Sequence, residues 1–214
     1  MTSLHFLLRA SGLLLTLGLN ACGGGSNNPG IYSAAHLPAG AYQVSASGDD
    51  VGIGEAFFGA KDGFILLSRD GDAAASLLYA KSRDARRIPD DGVARRLTFV
   101  RHSQLQTLPL VPSELSSTPY RVWLGGMSVG LSVSNQGRVQ STSADCTLQG
   151  DIDFGRTYGH AVAVALDIGR CGALPVGHFT GLMYSAATLQ PAAFRLVAEN
   201  GRSFVDLLAY SSAR

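Results

Sequence analysis

Hydrophobic and polar residues alternate with period two along several stretches of this chain. In Met127-Ser128-Val129-Gly130-Leu131-Ser132-Val133-Ser134 every second residue is apolar and the others are small or polar. Cys146-Thr147-Leu148-Gln149-Gly150-Asp151-Ile152-Asp153-Phe154 repeats the pattern, with both aspartates on the polar face. Val162, Val164, Leu166 and Ile168 line one face of the next run. Successive side chains of a strand point to opposite faces, so this pattern predicts half-buried, antiparallel strands. Shorter strands are predicted over 41–47, 55–58, 64–68, 76–79 and 96–101, then over 178–184, 194–198 and 204–210. Asp70-Gly71-Asp72 and Asn200-Gly201 punctuate them as turns. No long stretch behind the first 30 residues keeps a helical period, and the domain is predicted to be all-β.

A faint internal repeat adds an architecture. Phe64, Leu66, Gly71, Leu77 and Leu78 recur at one constant offset as Phe194, Leu196, Gly201, Leu207 and Leu208. Gly40-Ala41-Tyr42 and Gly177-His178-Phe179 stand upstream of the two copies. Between them, 103–120 is rich in Ser and Thr and holds Pro109, Pro112 and Pro119. Proline lacks the amide that a sheet ladder needs, so this segment reads as a loop. The expectation is an antiparallel barrel or sandwich built from two similar halves, about 36–102 and 121–214, within one β-rich domain over 36–214. Each half alone offers few strands, which favours a single structure made from both.

The start of the chain carries an address. Residues 1–21 hold an apolar run from Leu13 to Leu19 with Arg9 ahead of it. Crossing a hydrocarbon core of about 30 Å takes roughly 20 apolar residues, so the run is too short to span and reads as a signal peptide. It ends in Leu19-Asn20-Ala21-Cys22, followed by Gly23-Gly24-Gly25-Ser26-Asn27-Asn28-Pro29-Gly30. This ending resembles the lipobox of bacterial lipoproteins, in which the cysteine is acylated and becomes the mature N-terminus. The resemblance implies lipidation of Cys22 by chains such as palmitate and attachment to a membrane through that lipid. Gly23, rather than Asp, implies the outer membrane, on its periplasmic or its surface face. Residues 22–35 then form a flexible tether. Farther on, the alternating strand from Cys146, then Cys171, then Gly177-x-Phe179-x-Gly181 is similar to β-rich envelope lipoproteins of proteobacteria. That similarity names a class without an activity.

Composition sharpens the exclusions. An apolar share of 46% excludes a disordered chain. Lys and Arg number 17 against 16 Asp and Glu, and the two become equal once Arg9 leaves with the peptide. A neutral domain is not a globally basic nucleic-acid binder. With Cys22 lipidated, Cys146 and Cys171 remain as an even pair in an oxidising compartment, where a disulfide is expected. Cys146 opens one strand, 155–159 supplies the turn, and Cys171 lies just past the returning strand. Hairpin pairing therefore brings both to its open end, and the chain-entropy model assigns such a loop roughly 3 kcal/mol.

Candidate chemistry is sparse. The pentapeptide G-x-S-x-G occurs once, as Gly126-Met127-Ser128-Val129-Gly130, but it overlaps the alternating strand 127–134 and precedes no helical period, so it is not the strand-to-helix nucleophile elbow. The phosphate-binding loop and the dinucleotide fingerprint do not occur. His36, His102, His160 and His178 are scattered without metal-ligand spacing, although His178 and Tyr184 share one strand face. Asp49-Asp50, Asp70/Asp72, Asp90-Asp91 and Asp151/Asp153 lack the loop that supplies six to eight oxygens to calcium. Asp151 and Asp153, about 7 Å apart on a strand, match a glycosidase separation but read more simply as a solvated face. No cofactor is implied. Lys81, Arg83, Arg86, Arg87, Arg95, Arg96 and Arg101 form a basic run opposed by Asp84, Asp90 and Asp91. Arg86, Arg87, Arg95 and Arg96 are its candidate partner-binding residues, for an envelope protein or a polyanion; the plainer reading is a solvated loop holding its own ion pairs.

The functional expectation is a lipid-anchored, non-catalytic binding or structural module of the envelope. A lipocalin-like carrier with an apolar ligand in its barrel competes with it, because Gly40-x-Tyr42 is loosely similar to the lipocalin G-x-W, although Trp123 stands far away. A hydrolase assembled from distant loops is the third reading.

Overall fold

The computed structural model describes residues 33–34, 37–68, 75–81, 85–93, 95–124 and 126–212. The leader, Cys22, most of the tether, His36, Arg83 and the Asp70-Gly71-Asp72 turn lie outside the described residues. The first half contributes strands β1 (Ser33–Ala34), β2 (Gly40–Gly48), β3 (Gly52–Phe58), β4 (Gly63–Ser68), β5 (Leu77–Lys81), β6 (Ala85–Ile88) and β7 (Arg96–Gln104). They form one sheet in the order β1-β7-β2-β3-β4-β5-β6, antiparallel except for the β1–β7 pair. A flat sheet would separate β6 from β7 by five strand spacings, about 24 Å. Only residues 89–95 connect them. Asp90 and Asp91 fold that segment back by accepting the Gly92 and Val93 amides at 2.9 and 3.2 Å. The sheet therefore curls. One face carries its own core of Val44, Ala56, Phe58, Ile65, Leu67 and Tyr79.

Asp50, buried in the β2–β3 turn, draws the two margins together. It accepts the Tyr79 hydroxyl from β5 and ion-pairs with Arg87 of β6 at 3.5 Å and Arg95, just before β7, at 3.4 Å. Asp91 bridges the same two arginines at 2.7 and 2.5 Å.

The second half forms β9 (Tyr120–Leu124), β10 (Met127–Val133), β11 (Arg138–Ser141), β12 (Cys146–Tyr158), β13 (Ala161–Cys171), β14 (Gly177–Ala186), β15 (Phe194–Glu199) and β16 (Phe204–Ser211). Each pairs antiparallel with the next, and β16 returns to β9 through Ala209↔Val122, closing an eight-stranded barrel. A barrel of this size is just wide enough for side chains to fill it or for one small ligand. Val122, Leu131, Leu148, Leu166, Met183 and Leu196 fill it, drawn from six of its strands. The structure is all-β as expected, with the barrel made by the second half alone and the curled sheet by the first. The repeat corresponds to two hairpins, β4–β5 with Leu66↔Leu78 and β15–β16 with Leu196↔Leu207, placed in different sheets.

Segment 103–120 is more structured than a loop. It holds the end of β7, a two-residue strand β8 (Thr107–Leu108) on the end of β14, and the short helix α1 (Pro112–Ser117). Pro112 suits the first helical turn because its missing amide would be unbonded there anyway. Cys146 and Cys171 stand directly opposite in the β12–β13 ladder and form a disulfide. The reversal comes later than expected: β12 bulges between Asp153 and Thr157 and runs on to Tyr158, and Gly159 makes the turn with φ +70°. Asp151 and Asp153 are exposed on the polar face of β12.

Candidate functional site in the groove between sheet and barrel

Strand β13 begins Ala-Val-Ala-Val-Ala-Leu, apolar on both faces, because two different cores claim it. Val162, Val164 and Leu166 enter the barrel, while Ala161 and Ala163 lie outside it under the curled sheet. Leu182 and Tyr184 of β14 and Val197 of β15 continue that outer surface, and Phe57, Phe64, Leu66 and Leu78 of the sheet cover it. At one end of this joint Asp62 receives Arg156 and the Tyr158 hydroxyl, the latter at 3.2 Å. The Tyr158 ring meets Phe64 edge-on at 5.8 Å. Burial pushes the Tyr158 phenol up to about 12, and the Asp62 carboxylate adds to the shift. In the middle, Phe57 stacks near Tyr184 at 4.5 Å.

The other end of the joint is charged. Arg195 points outward from β15 because Phe194 and Leu196 point in. Its Nε and Nη2 donate to the two oxygens of Asp206 at 2.7 and 2.6 Å, a bidentate pair. Its Nη1 donates to Glu55 Oε2 of β3 at 3.2 Å and to the Tyr184 oxygen at 3.4 Å. The Tyr184 hydroxyl donates to the same Glu55 oxygen, and Asp206 Oδ2 also accepts the Ala75 amide at 2.8 Å. Burial raises the Glu55 carboxyl above its usual range, against the opposing pull of Tyr184 and Arg195. Burial, then the Glu55 carboxylate, raises Tyr184 as well, so it stays a neutral donor. Burial works against the Arg195 charge, but the bonds to Asp206 outweigh it and hold the guanidinium protonated.

Over this cluster the sheet and barrel diverge and leave a solvent-open groove of about 1100 Å³. Gln43, Ser45, Ile53 and Glu55 line one wall, with Val100, Arg101, His102 and Ser103 of β7 beyond them. Thr188, Leu189, Gln190 and Pro191 of the β14–β15 connection, with Leu208 and Tyr210 of β16, line the other. Ile53 and Val100 are 58% and 62% exposed, apolar side chains left uncovered at the mouth of the groove. The arrangement offers apolar walls, hydroxyl and amide groups, and a charged floor, which suits recognition. Glu55 is the group with an acid–base character. Among the described residues no Ser, Thr or Cys hydrogen-bonds to it, and none bonds to His178, which pairs with Asp167 at 2.9 Å on an exposed surface. Among the described residues no three metal-ligating side chains cluster.

The residues singled out in the sequence fall elsewhere. Arg87 and Arg95 come together on Asp50 and Asp91. Arg86 reaches Glu199 at 3.8 Å, and Arg96 is exposed, its amide donating to Asp49 at 2.7 Å. The four do not form one basic face, because two of them are consumed in tying the sheet margins. Arg101 of the same run does line the groove. His160 bonds the Thr107 carbonyl at 2.8 Å, joining β8 to the barrel. Glu55 and Arg195 escaped the sequence reading. Their signal was a single charge inside an otherwise apolar strand, in Ile-Gly-Glu-Ala-Phe-Phe and Phe-Arg-Leu-Val-Ala. Compared with protein-family models, curated proteins and solved structures, the chain has no match.

Proposed function

We propose that the chain is a lipid-anchored outer-membrane lipoprotein that acts as a non-catalytic binding module, with the groove between sheet and barrel as its recognition surface. The observation that carries this reading is the pairing of uncovered apolar walls, Ile53 and Val100, with the charged floor of Glu55 and Arg195. Concave sites with apolar walls and a few convergent polar groups are where ligands bind. The side-chain-filled barrel lumen supports the groove over the lumen as the receiving site. A tether from Cys22 would hold the domain at the membrane while leaving the groove open to the envelope.

The test places a photoreactive side chain at Val100 and, as control, at Val176, an exposed residue outside the groove. Irradiated cell envelopes should yield a discrete adduct from position 100 and none from position 176. Equal adducts from both positions would remove the groove from the reading. Turnover of an ester, glycan or peptide by the purified domain, stopped by one side-chain change, would replace it with an enzyme.

A further inference from the structure

The floor of the groove is short of one positive charge. Two carboxylates, Glu55 and Asp206, share the single guanidinium of Arg195, with side-chain exposures of 14%, 8% and 6%. Asp206 is satisfied: both of its oxygens take Arg195 and one also takes the Ala75 amide. Glu55 is not. Tyr184 and Arg195 both bond Oε2, and among the described residues Oε1 has no hydrogen-bond partner. Oε1 is not closed off, because Glu55 lines the solvent-open groove. A donor entering there meets an open acceptor on a largely buried carboxylate, and a charged donor compensates it best. Arg101 does not supply one. It opposes Ser45 on β7, whereas Glu55 opposes Gln43 on the far side of β2, and the two make no ion pair.

We infer that the groove takes a cationic side chain, lysine or arginine, from an extended segment of a protein partner, with Glu55 Oε1 as its acceptor. This rests on the groove being the recognition surface. A metal ion fits less well, because calcium needs six or more oxygens and magnesium a near-ideal octahedron, while the floor presents one carboxylate oxygen. A cationic side chain needs one carboxylate and a few neutral acceptors, and Ser45 and Ser103 stand on the same walls. Ile53 and Val100 then cover its aliphatic stem, as apolar surfaces do for long charged side chains. The groove, about 1100 Å³, is open to solvent, so a continuing backbone can enter and leave it. The partner chemistry is thus cationic, opposite to the polyanion suggested by the basic run.

The probe is trilysine, with trialanine and triglutamate as neutral and anionic controls, followed by amide chemical shifts of the purified domain. Trilysine should shift Ser45, Glu55, Ser103 and Leu189 saturably, and the controls should not. Glu55→Gln should weaken trilysine at least tenfold. Gln43→Lys, which sets a tethered ammonium opposite Glu55 at an exposed position, should do the same without touching the Arg195–Asp206 pair. Its wild-type-like spectrum guards against misfolding of the first variant. Trilysine binding unchanged by Gln43→Lys, or absent altogether, overturns the inference. Groove binding by triglutamate or trialanine overturns the cation while leaving the groove as a binding surface, and the crosslinking at Val100 judges that surface separately.

Discussion

Glu55 and Arg195 lie 140 positions apart in the chain and share a hydrogen bond of 3.2 Å, the sheet supplying one and the barrel the other. Arg195 is at the same time clamped by Asp206 on its own hairpin, so the guanidinium is oriented before the sheet arrives. The pair therefore both fixes the sheet on the barrel and sets the charge of the groove floor.

Removing the arginine should be costly. Arg195→Ala leaves Glu55 and Asp206 buried without their counter-charge, a change that typically costs about 3–5 kcal/mol. Urea denaturation should show the loss as a lower midpoint, and Arg195→Met, which keeps the packed stem, should lose less. A midpoint equal to wild type would mean that the cluster is solvated and structurally idle.

Asp50 makes a parallel case within the sheet. Asp50→Ala removes the buried anion shared by Tyr79, Arg87 and Arg95, leaves Asp91 as an ion-pair partner of both arginines, and should destabilise the sheet by about 1–3 kcal/mol. Hydrogen exchange should locate the loss: amides of Ala85–Ile88 lose protection while those of the barrel keep theirs. Replacing Arg86 and Arg96 together should change stability by less than about 0.5 kcal/mol, as exposed surface positions do. Equal effects of the two changes would contradict the division of the basic run into structural and surface residues.

Tyr158 predicts an alkaline limit. Its folded phenol titrates at about 12, raised by burial and then by Asp62, against an ordinary value of 10. Above pH 10 the unfolded chain gives up that proton while the folded one keeps it, so the unfolded state binds fewer protons and stability falls with rising pH. The contribution is fully present below pH 10 and is lost as pH climbs through 12. Tyr158→Phe should flatten this part of the stability–pH curve, measured by denaturant midpoints, and a slope unchanged by the substitution would refute the assignment.

The disulfide should stabilise through the loop it closes. Cys146→Ser with Cys171→Ser should cost roughly 2–4 kcal/mol, since the crosslink restricts the unfolded chain. Non-reduced tryptic peptides should carry the two residues joined. Free thiols in protein taken from the envelope would argue against the bond.

Acylation of Cys22 is the remaining expectation. Cells fed a fatty-acid analogue should label the protein, and Cys22→Ser should abolish the label. A soluble, unlabelled wild type would leave the domain without its anchor.

The sequence by itself determined the strands and their inward faces wherever one face meets a core and the other meets water. The alternation in Cys146–Tyr158 and Met127–Val133 is direct evidence of that asymmetry, and it also fixed which cysteines oppose one another. Short or charged strands such as Ala85–Ile88 and Arg138–Ser141 left too few apolar positions to show a period. Where both faces are buried, as in Ala161–Cys171, the pattern says that two cores exist but not what forms the second. Only the tertiary structure decided that the curled sheet lies there and that the second half closes alone. It likewise decided the groove, because Glu55 and Arg195 are each an isolated charge in an apolar strand until the fold brings them together. Period and turn chemistry act between near neighbours. A contact across 140 positions depends on how two finished sheets pack, and no local pattern encodes it.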